Sequence, residues 1–428
     1  MIDAVRNAMR LPDLRNKILF TLLILIVYRI AAHIPVPNVD PTALQNVFNT
    51  NQLLGFLDLF SGGALSNFSI AAMGVYPYIT AQIIMQLAIG IYPPLERLQR
   101  EGGEAGRQRI NLITHLLTIP IAALQAFAQA FSLTQTNPPA LTNFGLATHP
   151  LETLTIVITM TAGTMFAMWL GELISEQGIG SGMSIIIFSG IVAQIPNRIG
   201  QMLLTNVPAL LFFLGITVVT IVGIIFIQEG HRRIPVQYGK RVRGNKVYGG
   251  QSTHIPLRIN SSGMIPLIFA ISILIFPGVI AGYFTASDNS IISGIANAIY
   301  NSFNQNSPVY WIVYFLMVIG FTYFYTDVIF RQQNIPEMLQ QNGGFIPGIR
   351  PGKKTEEYLN GVLQRITLVG ALFLGFVAIL PFLVRDVTET TAMIITSTGL
   401  LIVVGLVLDT MKQLQAQLLM RHYEGFIK

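Results

Sequence analysis

The sequence contains no cysteine, which excludes disulfides, thiolate metal sites, iron–sulfur clusters and cysteine nucleophiles together. Charge is nearly as scarce: charged residues make up 11% of 428, against roughly a quarter in soluble domains. That scarcity excludes an ordinary soluble enzyme. The marks of the common catalytic classes are missing too, with no HExxH, no GxxxxGK[ST] phosphate loop and no GxSxG elbow. Six histidines (His33, His115, His149, His231, His254, His422) are scattered without metal-ligand spacing, so neither a metal nor another cofactor is expected. Carboxylates are absent from the middle of the apolar runs; Glu172, Glu176, Asp327 and Asp409 fall at their ends, which argues against a proton relay and an ion-driven pump.

What the chain has in excess is hydrocarbon. Hydrophobic residues make up 52% of it, and the mean hydropathy is +0.58, the signature of a polytopic membrane protein. A helix needs about 20 apolar residues to cross a bilayer core. Nine runs near that length stand out, approximately 18–34, 69–92, 110–131, 154–170, 207–227, 264–283, 309–326, 366–384 and 392–408. Two more segments are ambiguous. Residues 53–65 carry Asp58, end in Gly62-Gly63 and are too short to span, so they read as a re-entrant half-helix; residues 183–204 meet Pro196 and Arg198 part-way.

Basic residues mark the cytoplasmic side and resolve both ambiguities. Of 26 Lys and Arg, 23 lie in five segments: the N-terminus, residues 93–109, 228–258 and 327–365, and the C-terminal tail. Only Arg198 and Arg385 lie in the other connections, and Arg29 lies inside the first span. For the five basic segments to share one side, 53–65 must return to the face it came from and 183–204 must cross. The expectation is therefore an all-α protein of ten spans with both termini cytoplasmic. No small-residue cleavage site follows the first apolar run, so it stays as a helix. Ten spans divide at about residue 204 into an N-terminal half, 1–204, and a C-terminal half, 205–428. Five spans per half turn the second upside down relative to the first, the inverted plan of many channels and transporters.

Three features invite a functional reading. Arg29 is an intramembrane charge; set five residues before Ile34, it is expected to snorkel to the outer interface rather than to act inside. The alternate glycines Gly178, Gly180 and Gly182 look superficially like a nucleotide loop, but no strand precedes them, and a tight turn between packed helices is the better reading. The 228–258 segment carries seven basic residues, with Tyr238 and Tyr248 interleaved, more than orientation alone needs. It suits rRNA phosphates or an acidic protein surface. In the 327–365 segment, prolines and glycines are expected to present Arg350 at a rigid tip.

The stretch Phe60-Ser-Gly-Gly-Ala-Leu-Ser66 followed by Ser69-Ile-Ala-Ala-Met-Gly74-Val-Tyr-Pro77-Tyr-Ile79 closely resembles the plug and second helix of the SecY family of protein-conducting channels. Further matches come in order along almost the whole chain. They include Ile34-Pro-Val-Pro37, Gly163-Thr-Met-Phe, Trp169-Leu-Gly-Glu172 and Gly178-Ile-Gly-Ser-Gly-Met-Ser-Ile-Ile-Ile-Phe188. Gln251-Ser-Thr-His-Ile-Pro256, Phe345-Ile-Pro-Gly-Ile-Arg-Pro-Gly352 and Leu368-Val-Gly-Ala371 continue the series.

The resemblance implies an hourglass channel that passes unfolded polypeptides outward and releases transmembrane segments sideways into lipid. It implies a waist ring at Val75, Ile79, Met183, Ile187, Ile268 and Ile402, where Val75 and Met183 depart from the family's usual isoleucine. Both pairs are spaced i, i+4 and so share a helix face. It also implies a plug at about 56–67, with Leu57, Phe60, Ser61, Gly62, Gly63, Ala64 and Leu65, held by non-polar contacts. The lateral gate is expected between the second and third spans on one side and the seventh and eighth on the other.

The same matching implies that Arg350 contacts the SecA motor, and that Arg107, Arg109, Arg241 and Arg243 face SecA or the ribosome. The expected partners are the SecE and SecG subunits, the SecA ATPase, the ribosome, signal peptides with unfolded substrates, and anionic lipids, in a bacterial inner membrane. The subunit itself is expected to be a passive pore, not an enzyme. The rival is a ten-span secondary transporter for a small solute, which needs polar groups where the waist is aliphatic.

Overall fold

The computed structural model describes residues 9–50, 58, 61–134, 139–145, 148–205, 207–238, 241–243, 246–248, 252–284, 289–303, 307–388 and 392–424. The first half contains helices α1 (Pro12–Ala31), α2 (Pro41–Thr50), α3 (Tyr76–Ile91), α4 (Pro93–Glu101), α5 (Gly103–Thr134), α6 (Pro150–Gln177) and α7 (Gly182–Thr205). The second opens with α8 (Val207–Glu229) and strands β1 (His231–Tyr238), β2 (Arg241–Arg243), β3 (Lys246–Tyr248) and β4 (Ser252–Arg258). It continues with α9 (Ile265–Phe284), α10 (Ser290–Ser302), α11 (Pro308–Gln333), α12 (Ile335–Gln341), strand β5 (Gly344–Phe345), α13 (Lys353–Thr388) and α14 (Ala392–Glu424).

Each of the ten expected spans coincides with one helix (α1, α3, α5, α6, α7, α8, α9, α11, α13 and α14), although in the second, expected over 69–92, residues 70–75 form turns and the helix begins only at Tyr76. Among the described residues, five are long and apolar enough to cross alone, over Gly103–Thr134, Pro150–Gln177, Leu210–Glu229, Pro308–Gln341 and Lys353–Leu380. Others fall short for identifiable reasons. Asp13, Arg15, Lys17 and Arg29 charge α1, and α7 contains Pro196. The second span is only 16 residues of helix, and beyond it the chain turns through 104° into α4. Proline starts several of these helices, where its missing N–H costs nothing; Pro12, Pro77, Pro150 and Pro308 all lie at the first turn. Ser307 and Asn289 cap α11 and α10 by accepting from Val309 N (3.3 Å) and Ile291 N (3.1 Å).

Sidedness can be read from what packs together. Leu14 at the start of α1, Ile179 in the α6–α7 turn and Leu414 near the end of α14 form one small buried cluster, so both ends of the bundle emerge on the same face. On that face Lys412 pairs with Glu229 at 2.7 Å. At the opposite end, Val36 N donates to Phe68 O (3.0 Å) and Ile70 N to Ile34 O (2.9 Å), so the segment between α1 and α3 leaves and returns on one side, as a re-entrant segment must. The α5–α6 connection joins it there, through Asp40 N to Ala140 O at 3.0 Å.

The main core runs through both halves and is built of small and branched side chains from nearly every long helix. The outer faces are oily: Leu211, Val219 and Phe226 of α8 are 66%, 72% and 75% exposed, a surface tolerable in lipid and not in water. The all-α expectation holds for this membrane part. The loops on the charged face add a small sheet of order β4-β1-β5 and a β2–β3 hairpin.

Candidate pore constriction and plug

Gly74 adopts φ +51°, and this turn delivers Val75 to the N-cap of α3, with Ile79 one turn on; Ile79 N donates to Val75 O at 3.1 Å. Val75 and Ile79 therefore share one face of α3. Ile187 comes from α7, Ile268 from α9 and Ile402 from α14. All five are buried, between 0% and 9% exposed, and all belong to the same apolar cluster. Met183 packs against that cluster and is half-buried. Its tip reaches α6: a Cβ on Gly171 would lie 2.7 Å from Met183 Sδ. A flexible thioether at this position fills the gap left by a missing glycine side chain. The six sequence-matched ring positions thus come from four helices, five of them within the main apolar core and Met183 packed at its edge.

The re-entrant segment contributes Ala64 and Leu65 to the same core. Leu57 and Phe60 lie outside the described residues. Asp58 is helical, and from Ser61 the chain runs in turns, which Gly62 (φ +69°) and Gly63 (φ +83°) make possible. Ala64 and Leu65 are buried at 0% and 2%, the apolar seat that was expected.

Polar bonds hold it as well, in addition to the expected non-polar contacts. Tyr28 Oη donates to Ser61 O (2.5 Å), and Arg29 Nη1 donates to Gly62 O (2.7 Å). Arg29 Nη2 reaches the Ser189 carbonyl of α7 at 2.5 Å. Asp58 accepts from Gln194 Nε2 of α7 (2.7 Å), from Ser66 N (2.9 Å) and from Ser61 Oγ (3.2 Å). The snorkelling reading of Arg29 is therefore wrong: its guanidinium turns inward to main-chain carbonyls. Those partners are backbone atoms, which leave no side-chain signature in a sequence.

The expected lateral gate is the seam where α3 and α5 face α9 and α11. Tyr76 Oη donates to Ser272 O at 3.3 Å across it. Gln125 Nε2 reaches Thr80 Oγ1 at 3.4 Å within the first wall. Among the described residues, Ser272 Oγ and Gln125 Oε1 are buried there without a hydrogen-bond partner. The Tyr76–Ser272 bond across the seam is thus a long one, and an unpaired Ser272 Oγ lies beside it.

The α6–α7 turn is the tight helix junction anticipated from its glycines. Gly180 takes φ +85°, and a Cβ on Gly182 would lie 1.8 Å from Gly171 O. Helix α7 can start against α6 only because Gly182 has no side chain.

On the charged face, β1 pairs antiparallel with β4, His231 opposite Arg258 through Gln237 opposite Ser252. It also pairs with β5, joining Gln237 to Phe345 and Tyr238 to Gly344. The two basic loops, read as separate features, are thus one platform. Its core is Ile234, Val236 and Leu257 on Leu339, Ile346, Leu359 and Leu363. Arg350 stands exposed just beyond β5, between Gly348 (φ +81°) and Gly352 (φ +99°), with its carbonyl accepting from Thr355 Oγ1 at 3.0 Å. Arg241 and Arg243 lie on β2, opposite Tyr248 and Lys246. Arg107 and Arg109 are exposed on the first turns of α5. The sheet had a sequence signal in the alternation Ile234/Val236 and Ile255/Leu257, but Pro235 and Pro256 interrupt it.

The SecY family model matches residues 69–411. The protein translocase subunit SecY of Halalkalibacterium halodurans is 45% identical over the whole of both chains, and that of Thermotoga maritima is 43% identical over 100% of this chain and 98% of its own. Among solved structures, one described as showing that the plug domain of SecY stabilises the closed state superposes with a TM-score of 0.63 at 18% identity, over 94% of this chain and 91% of that one. Sec61 from a canine ribosome-channel complex gives 0.58 at 17% identity, again covering 94% of this chain and 91% of its own. At such low identity these two likenesses speak for the fold.

Proposed function

The chain belongs to the SecY family of protein translocase subunits, and from this premise we propose how its parts conduct a polypeptide. It is a multi-pass membrane channel that passes unfolded proteins across the bilayer and releases apolar segments into lipid. Val75, Ile79, Met183, Ile187, Ile268 and Ile402 form the constriction. The observation that supports this assignment is the burial of Val75, Ile79, Ile187, Ile268 and Ile402 in the same apolar core as Ala64 and Leu65 of the re-entrant segment. An apolar collar offers no ligands to replace an ion's hydration shell, yet its side chains can part around an extended chain. A small-solute carrier needs polar groups at that point, so the transporter reading is set aside.

Residues 56–67 are the plug, filling the outer funnel at rest. Non-helical backbone at membrane depth is tolerated only inside protein or against a water-filled cavity, and the funnel supplies that setting. The α3/α5 and α9/α11 seam is the lateral gate. The Tyr76–Ser272 bond across it is long, which suits a wall that an apolar signal segment must open.

The subunit has no catalytic group of its own, so work must come from partners at the charged face. SecA or the ribosome docks on the platform through Arg350, Arg241 and Arg243, with Arg107 and Arg109 alongside; SecE and SecG complete the channel in a bacterial inner membrane, where both termini are cytoplasmic and anionic lipids contact the basic face. Ribosome docking draws support from the fold shared with Sec61 of the ribosome-channel complex. The direct test is reconstitution with SecE in vesicles. A secretory precursor should become protease-protected only with SecA and ATP, and no gradient-driven uptake of small solutes should appear.

A further inference from the structure

The intramembrane arginine is the feature that the channel reading leaves unused. Arg29 lies in the last turn of α1, and an arginine within a span is among the costliest side chains to insert, so its partners matter. Both observed partners are main-chain carbonyls, and they belong to different parts of the molecule. Gly62 O is on the plug, 2.7 Å from Nη1; Ser189 O is on α7, 2.5 Å from Nη2. The adjacent Tyr28 hydroxyl takes the neighbouring plug carbonyl, Ser61 O, at 2.5 Å. From the other side Gln194 of α7 holds Asp58 Oδ2 at 2.7 Å.

We infer that Arg29 is the latch of the plug: its guanidinium clasps the plug carbonyl of Gly62 to α7, and the resting channel is closed to the extent that this bridge is made. Two properties follow from the chemistry. Hydrogen bonds from an ionised donor are about twice as strong as neutral ones, and two carbonyls set at fixed angles to a planar fork define one plug position where oily contacts permit several. The latch is also reversible. When the plug leaves, water in the funnel hydrates the freed guanidinium, so release exchanges partners and strands no bare charge. Arg29 is a positioning residue, acting on the plug rather than on the translocated chain.

The inference rests on the plug assignment, but its test needs no precursor, so its failure and that of the channel reading are distinguishable. Because the chain has no cysteine, a single Ala64→Cys provides the only thiol; Ala64 is fully buried in the plug at rest. Its rate of modification by a small maleimide, in vesicles holding the chain with SecE, reports plug release. A matching Ala167→Cys, equally buried in α6, reports general loosening. Arg29→Met should accelerate labelling at Ala64→Cys on the order of 10- to 100-fold, the range set by loss of a hydrogen bond to a charged group. Ala167→Cys should not change. Arg29→Lys keeps the charge, and with it insertion, but cannot fork to two carbonyls; it should accelerate labelling by a smaller factor. The latch is contradicted if both variants label Ala64→Cys at the parent rate, or if Ala167→Cys accelerates in parallel.

Discussion

Gly190 of α7 lies directly against Gly62: a Cβ on Gly190 would stand 2.0 Å from the Gly62 Cα, closer than any side chain is tolerated. The clash is with backbone, so nothing flexible can yield. Gly190→Ala should push the plug from its seat at a cost of about 1–3 kcal/mol to the closed state. In a planar bilayer, the purified complex carrying this change should show resting ion conductance absent from the parent, while its assembly with SecE stays intact.

The ring makes a second prediction. Ile187 is 2% exposed and surrounded by apolar side chains. Ile187→Asn places an unpaired amide there, destabilising the closed waist by about 1–3 kcal/mol. Precursors with weakened signal sequences should be transported more readily by this variant, and ion leak should rise; Ile187→Leu should change neither.

Much of this architecture was legible in the sequence, and the exceptions have physical causes. Ten spans followed from the sidedness of lysines and arginines, because the cost of moving charge across lipid is written into every loop. Gly178, Gly180 and Gly182 announced a helix junction, since only close backbone contact demands such spacing. Arg29 was misread because its position five residues from the end of the hydrophobic run is equally suited to snorkelling, and its true partners are carbonyls of Gly62 and Ser189. The β1–β4–β5 platform was missed because β1 and β4 carry prolines, and because β5 is only two residues long and comes from a loop about a hundred residues further along the chain.

The glycine junction offers a paired test. Gly182→Ala drives a Cβ to 1.8 Å from Gly171 O, whereas a Cβ at Gly200 in the same helix meets nothing within 4 Å. Thermal unfolding of the detergent-solubilised complex should fall markedly for Gly182→Ala. For Gly200→Ala it should hold or rise, by up to about 1 kcal/mol, as expected of alanine replacing glycine in a helix.

On the charged face, docking and folding should separate. Arg350 is exposed, while Ile346, four residues earlier, is 3% exposed in the platform core. Arg350→Glu should leave thermal stability within about 0.5 kcal/mol of the parent yet abolish SecA-driven transport in vesicles. Ile346→Asp should unseat β5 and weaken both stability and transport, visible as faster proteolysis within 327–365.

The central claim is that a polypeptide passes through the aliphatic ring. A secretory precursor stalled part-way across vesicles, with a photo-crosslinker placed at Ile79 or Ile187 in separate preparations and at Leu316 as a control, tests it most directly. Leu316 is 60% exposed on the outer face of α11. Adducts to the precursor from Ile79 and Ile187, and none from Leu316, are the predicted result. An engaged precursor captured at neither ring position would contradict the account.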